Sequence, residues 1–144
     1  MMILACIAIL AMSDPTAAAS PVAPLSQQPS IVAESLPEGA TRHIFRHKGM
    51  EREYILYRPA GLRENAPLVL VLHGYGGRAM KSGAGMNRIA DKEGFAVCYP
   101  QGALDGRGKT CWNVGYPFQE GLKTDDVDFL LKLSAKLCRE HGFD

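Results

Sequence analysis

Leu68-Val-Leu-Val-Leu72, running straight into His73-Gly-Tyr-Gly-Gly77, is the stretch from which the rest of the chain is read. Its first half is apolar without alternation, the composition of a strand covered on both faces, as in a parallel sheet. Its second half brings that strand into a glycine-rich bend, where bare backbone can approach a ligand closely. Downstream, Met86-Asn-Arg-Ile-Ala-Asp-Lys-Glu93 sets Met86, Ile89 and Ala90 at helical spacing ahead of Gly94 as a stop. Phe95-Ala-Val-Cys-Tyr99 then reads as a second apolar strand. Strand, helix and strand in that order predict a right-handed crossover with two parallel neighbours.

Upstream, Arg42–Arg46 and Glu53–Tyr57 read as two strands reversed at Lys48-Gly49, a hairpin. Pro59 and Pro67 bracket a polar loop, and residues 100–123, rich in Gly and polar groups, read as a long loop. From Asp125 to His141 the apolar residues Val127, Leu130, Leu131, Leu137 and Cys138 recur at helical spacing, with Thr124 or Asp125 as N-cap and Gly142 as the C-terminal stop. Asp125, Asp126 and Asp128 have the look of a metal cluster, but carboxylates at a helix N-terminus are explained by capping and the helix dipole, so no metal is expected.

Met1 to Met12 is an unbroken apolar run followed by Ala17-Ala18-Ala19-Ser20, a signal-peptide pattern that lacks the usual opening Lys or Arg. It is shorter than the roughly 18 apolar residues needed to cross a bilayer. Residues 20–40 hold Pro21, Pro24, Pro29 and Pro37 among Ala, Ser and Gln, the composition of an extended linker. The expected organisation is therefore a signal peptide over 1–19, a linker over 20–40 and a folded domain over 41–144, in a secreted protein without a membrane span after removal of the leader. Sixteen basic against fifteen acidic residues leave a formal charge of +1. That gives no electrostatic reason to expect nucleic acid as a partner. Removal of the leader leaves Cys98, Cys111 and Cys138, without metal-ligand spacing. Cys98, in an apolar strand, reads as a buried small hydrophobe, and Cys111, in a polar loop, as the better disulfide candidate.

Three readings compete for the glycines. In acyl transfer the carbonyl oxygen gains charge in the transition state, and amides already aimed at it stabilise it without reorganising. On that reading the Tyr75 N–H is the oxyanion donor, Gly74 and Gly76 shape the loop, and His73 is structural, because it ends a strand and is poorly placed to act as base. Gly74-x-Gly76-x-x-Ala79 also matches the dinucleotide fingerprint formally, with Asp91 or Glu93 near the spacing of a ribose-binding acid, but Lys81-Ser-Gly-Ala-Gly85 interrupts the helix such a site needs. The third reading is a glycine turn with no ligand. Arg78 and Lys81 beside the loop read as solvated charges.

Tyr57-Arg-Pro59, Leu68 to Gly77, Met86-Asn-Arg-Ile-Ala-Asp91, Tyr99-Pro-Gln-Gly102, Cys111-Trp-Asn113 and Asp125-Asp-Val-Asp-Phe129 occur together in this order. The set resembles the polyhydroxybutyrate depolymerase and feruloyl or acetylxylan esterase group of α/β-hydrolases, across residues 41–144. The resemblance implies an α/β fold: the N-terminal half of an α/β-hydrolase, four strands in a mostly parallel sheet with flanking helices. It implies a secreted serine esterase acting on a polyester or an esterified polysaccharide, with no cofactor, the Tyr75 N–H in the oxyanion hole, and Trp112 and Asn113 lining the substrate cleft.

Members of that group resemble one another in a G-x-S-x-G elbow on the strand after the Asp125–His141 helix. Neither Ser82 nor Ser134 has glycines at both flanking positions, and the sequence ends at Asp144. The expectation is a chain truncated before the nucleophile strand, lacking the Ser-His-Asp triad and inactive as given, with the edge of the Leu68–Leu72 strand free. A noncatalytic carbohydrate-binding remnant and a dinucleotide-binding enzyme are the alternatives.

Overall fold

The computed structural model describes residues 35–83 and 85–144. The expected leader (1–19) and the expected linker up to residue 34 lie outside the described residues. The elements run in the order β1 (Ala40–His47), β2 (Met50–Tyr57), β3 (Leu68–Leu70), α1 (Met86–Glu93), β4 (Ala96–Pro100), β5 (Ala103–Leu104), β6 (Thr110–Cys111) and α2 (Asp126–His141). The fold begins a little before the boundary drawn at Thr41: Leu36 packs against the core, and the Gly39 carbonyl accepts the Arg58 N–H at 2.9 Å.

The main sheet has the order β1-β2-β4-β3. β1 and β2 are the expected hairpin, longer than the sequence suggested, with Ala40 opposite Tyr57 and His47 opposite Met50. Lys48 (φ 47°) and Gly49 (φ 81°) make the two-residue turn in the left-handed region that suits right-twisted strands. β2 pairs antiparallel with β4, and only β3 and β4 run parallel. The sheet is therefore mixed, which corrects the expectation of a mostly parallel one. A two-residue turn can join only antiparallel neighbours, whereas the β3-α1-β4 connection has the length a parallel pair requires.

The central strands β2 and β4 are covered on both faces, with alternate residues on each. Tyr54 and Leu56 of β2 with Ala96 and Cys98 of β4 pack against Phe129, Leu133 and Leu137 of α2. Ile55 and Tyr57 with Val97 and Tyr99 pack on the opposite side with Ala90 of α1. Each fully buried Phe or Leu on α2 contributes roughly 1.5–3 kcal/mol. Asp125 caps α2, its side chain accepting from the Asp128 N–H, and Gly142 ends it in the left-handed conformation. Gly94 ends α1 in the same way, as its sequence predicts.

β3 is shorter than the apolar run that announced it. It stops at Leu70, its residues are half-buried, and Leu72 is exposed. Its outer edge is partly occupied: the Leu68 N–H donates to the Asp144 carbonyl at 3.1 Å, and the Asp144 N–H to the Ala66 carbonyl at 3.0 Å. The supposed loop over 100–123 contains the β5–β6 hairpin and a short 3-10 turn at Pro117–Gln119.

Candidate functional site

Beyond β3 the backbone folds into a tight turn in which the Gly77 N–H donates to the Gly74 carbonyl at 2.9 Å. Tyr75 and Gly76 are its corners. Gly76 has φ 72°, a value that favours glycine at the second corner. Gly74 has ordinary φ, and a Cβ there would meet nothing within 4 Å, so of the two glycines only Gly76 is required by the turn. β6 straps the turn down: the Gly76 N–H donates to the Thr110 carbonyl at 2.7 Å, and the Thr110 hydroxyl donates to the Gly77 carbonyl.

His73 is the peg on which the turn hangs. Its ring is buried, Nδ1 bonds the Gly74 carbonyl at 2.7 Å, and Nε2 accepts the Gly102 backbone N–H at 2.9 Å. A backbone N–H can only donate, so Nε2 is unprotonated and Nδ1 carries the hydrogen. The Gln101 side-chain nitrogen lies 3.0 Å from Nε2 as well. Both ring nitrogens are thus engaged within the fold. Gly102 allows this close approach, since a Cβ there would lie 2.5 Å from the Cys111 carbonyl oxygen and 3.0 Å from the imidazole. The Trp112 indole N–H donates to the His73 carbonyl at 2.8 Å, and the two rings stand 5.1 Å apart.

Tyr75, His73, Gly74, Trp112, Val114 and Tyr116 line a largely apolar cavity of about 170 Å³, with Cys111 and Gln119 completing the wall. Tyr75, Val114 and Tyr116 are exposed at its rim. The Tyr75 hydroxyl donates to Asp105 at 2.7 Å, which pushes the phenol up and holds the Asp105 carboxyl below its ordinary value. Burial raises the Cys111 thiol. All three described cysteines are free, which corrects the reading of Cys111 as a disulfide candidate, because the loop that carries it is folded inward as β6. Cys98 is fully buried, as its apolar strand implies, and burial pushes its thiol up.

Asn113 does not line the cavity. Its side-chain amide donates to the Leu122 and Thr124 carbonyls at 3.1 and 2.7 Å, and its backbone N–H to Asp126 at 2.7 Å. Asp126 in turn meets Arg52 of β2 at 2.7 Å, with both side chains buried and the guanidinium 4.0 Å from the centre of the Phe129 ring. This buried pair joins β2, α2 and the Trp112 loop, and the sequence reading missed it. The signal was present: Arg52 shares strand parity with Tyr54 and Leu56, and Asp126 shares the helical face of Phe129, Leu133 and Leu137. Asp128 instead bonds His47 and Lys132, which hold its carboxyl far below the usual range. Among the described residues no three His, Cys, Asp or Glu converge as a metal site.

The dinucleotide reading needs a helix to open at the third small residue of the motif. After Ala79 the chain passes through Met80 at φ 63° and a 3-10 turn at Lys81–Gly83, and α1 opens only at Met86. The helix that such a site needs therefore does not open at Ala79.

The mixed sheet with a helix on each face and a clamped glycine turn after β3 is consistent with a partial α/β-hydrolase fold. The chain superposes on the substrate-bound fluorophosphonate-binding serine hydrolase FphF of Staphylococcus aureus with a TM-score of 0.52 at 13% identity, covering 73% of this chain and 42% of that one. A serine-to-cysteine variant of pOPH in complex with DMSO gives a TM-score of 0.52 at 21% identity, covering 78% and 41%. Sequence carries the assignment further, because residues 52–121 match the family described as Esterase PHB depolymerase. That match spans just under half of the chain. The chain is 31% identical over 101 residues to the bifunctional acetylxylan esterase/xylanase XynS20E of Neocallimastix patriciarum. It is 35% identical over 145 aligned positions to NocK, a protein of Nocardia uniformis subsp. tsuyamanensis that carries an esterase designation. The alignments take in 69% and 85% of this chain but 14% and 40% of those relatives.

Proposed function

We propose that residues 41–144 form the oxyanion side of a serine-type carboxylic-ester hydrolase site, with the Tyr75 backbone N–H as an oxyanion donor and the Trp112 cavity as the seat of the ester. One observation carries the reading: the Gly74–Gly77 turn is fixed from both sides, by Thr110 on Gly76 and Gly77 and by His73 on Gly74 and Gly102, beside an apolar cavity. Donors fixed before substrate arrives stabilise a developing oxyanion without reorganising, and loss of one costs roughly 10²–10³-fold in rate. The relatives' names favour an ester of a polyester or of an acetylated polysaccharide.

The nucleophile, acid and base are not supplied by these residues. In support, the Ser134 hydroxyl is bonded to the Leu131 carbonyl within α2, and neither nitrogen of His73 is open to a substrate. On this reading the described residues bind the ester and leave its turnover to groups elsewhere. Trp112 is the single tryptophan and stands at the cavity, so its emission reports occupancy. Titration with ethyl 3-hydroxybutyrate and with acetylated xylo-oligosaccharide should change that emission, while p-nitrophenyl butyrate is hydrolysed no faster than in buffer. An emission unmoved by any ester at millimolar concentration overturns the oxyanion reading. Ester turnover overturns the assignment of the triad to residues elsewhere.

A further inference from the structure

A second cavity, of about 250 Å³, shares the glycine turn but none of the residues of the first. Gly76 contributes one wall, and Arg78, Lys109, Thr110 and the buried Gln101 stand around it. Its character is opposite to that of the Trp112 cavity, since its lining is mostly polar and carries two cations from separate segments. Neither cation is neutralised: the ion pairs among the described residues involve neither Arg78 nor Lys109. The carboxylate nearest in sequence, Asp105, is committed elsewhere, accepting the Tyr75 hydroxyl and the Arg107 and Lys109 backbone N–H groups. The wall between is fixed, because Gln101 accepts the Ala79 N–H at 2.9 Å. Read alone, Arg78 is a solvated loop charge. What changes that reading is Lys109, which the β5–β6 hairpin brings to the same cavity while Thr110 holds Gly76.

We propose that this cavity is a carboxylate subsite, which binds an acidic group carried on the ester substrate between Arg78 and Lys109. The proposal takes its role from the ester reading above, and it narrows the substrate to an ester bearing a free carboxylate. That carboxylate has two sources within the proposed classes, the acid end of a hydroxyacid oligomer or a uronic acid on a polysaccharide. Neutral esters would use the Trp112 cavity alone.

The test is a titration of the ¹⁵N-labelled chain with the linear dimer of 3-hydroxybutyric acid and with glucuronic acid, each beside its methyl ester. The Gly76, Gly108 and Thr110 amides should shift with the acids and not with the methyl esters. Exposed ion pairs are individually weak. Arg78→Gln or Lys109→Gln should therefore weaken binding about two- to fivefold, and the double variant about tenfold. Added salt should weaken it in the wild-type chain as well. Binding of one acid alone identifies the source of the carboxylate, and binding of both shows a site that reads the charge only. The subsite is overturned if neither acid binds, if the methyl esters bind as well, or if the double variant keeps its affinity. The Trp112 response to neutral esters is read on the same variants and should persist, so its loss would count against the ester site and not against this one.

Discussion

The Tyr75 hydroxyl donates to Asp105 Oδ2 at 2.7 Å, tying the exposed corner of the glycine turn to the tip of the β5–β6 hairpin. That carboxylate also accepts the Arg107 and Lys109 N–H groups, both at 2.9 Å. The Tyr75 bond is the largest of the influences that hold Asp105 below its ordinary value. A carboxyl lowered in the folded state adds stability above the unfolded value of about 3.9 and loses it as pH falls through the folded one. Tyr75→Phe should raise the Asp105 titration toward the ordinary range, followed by carboxyl ¹³C shifts, and should loosen the turn at a higher pH than in the parent. An unmoved Asp105 titration would show that the contact does not bind in solution.

Gly102→Ala should destabilise the fold by about 1–3 kcal/mol, the usual cost of overpacking. The new Cβ would lie 2.5 Å from the Cys111 carbonyl oxygen, a backbone atom with little room to yield. Gly74→Ala is the control, with no atom within 4 Å of its Cβ, and should leave the urea midpoint nearly unchanged. Equal midpoints for the two variants would contradict this account of the loop.

Removal of the charge in Asp126→Asn should cost about 3–5 kcal/mol, because the Arg52 guanidinium would stay buried without its counter-charge. Arg52→Met combined with Asp126→Asn should cost less than the sum of the single changes, as expected for groups in direct contact. Urea unfolding followed by Trp112 emission measures both.

Asn113→Ala should lower stability by about 1–2 kcal/mol through two lost hydrogen bonds to loop carbonyls, with little direct effect on ester affinity. A large loss of affinity with unchanged stability would place the Asn113 side chain in the cleft.

The helix over Met86–Glu93, the αL glycine that ends each helix, and the Lys48-Gly49 reversal could all be read from neighbouring residues, because periodicity, capping and turn chemistry act over a few positions. The strap from Thr110 to Gly76 could not. Residues 100–123 carry composition signals of a loop, and the two-residue strands within them exist only because β5, β6 and the glycine turn meet. The same holds for Asn113, whose amide is consumed by carbonyls that only the folded loop brings near.

By itself the sequence determined that an apolar strand delivers a glycine bend and that a βαβ unit follows it, since burial pattern and backbone permissiveness belong to the residues themselves. Tertiary structure decided that β2 lies between β1 and β4, that Arg52 meets Asp126, and that His73 accepts from Gly102. Those pairings are between segments far apart in the chain. Which of several compatible partners each finds is settled by the closure of the whole fold around two packed helices, and no local pattern records that choice.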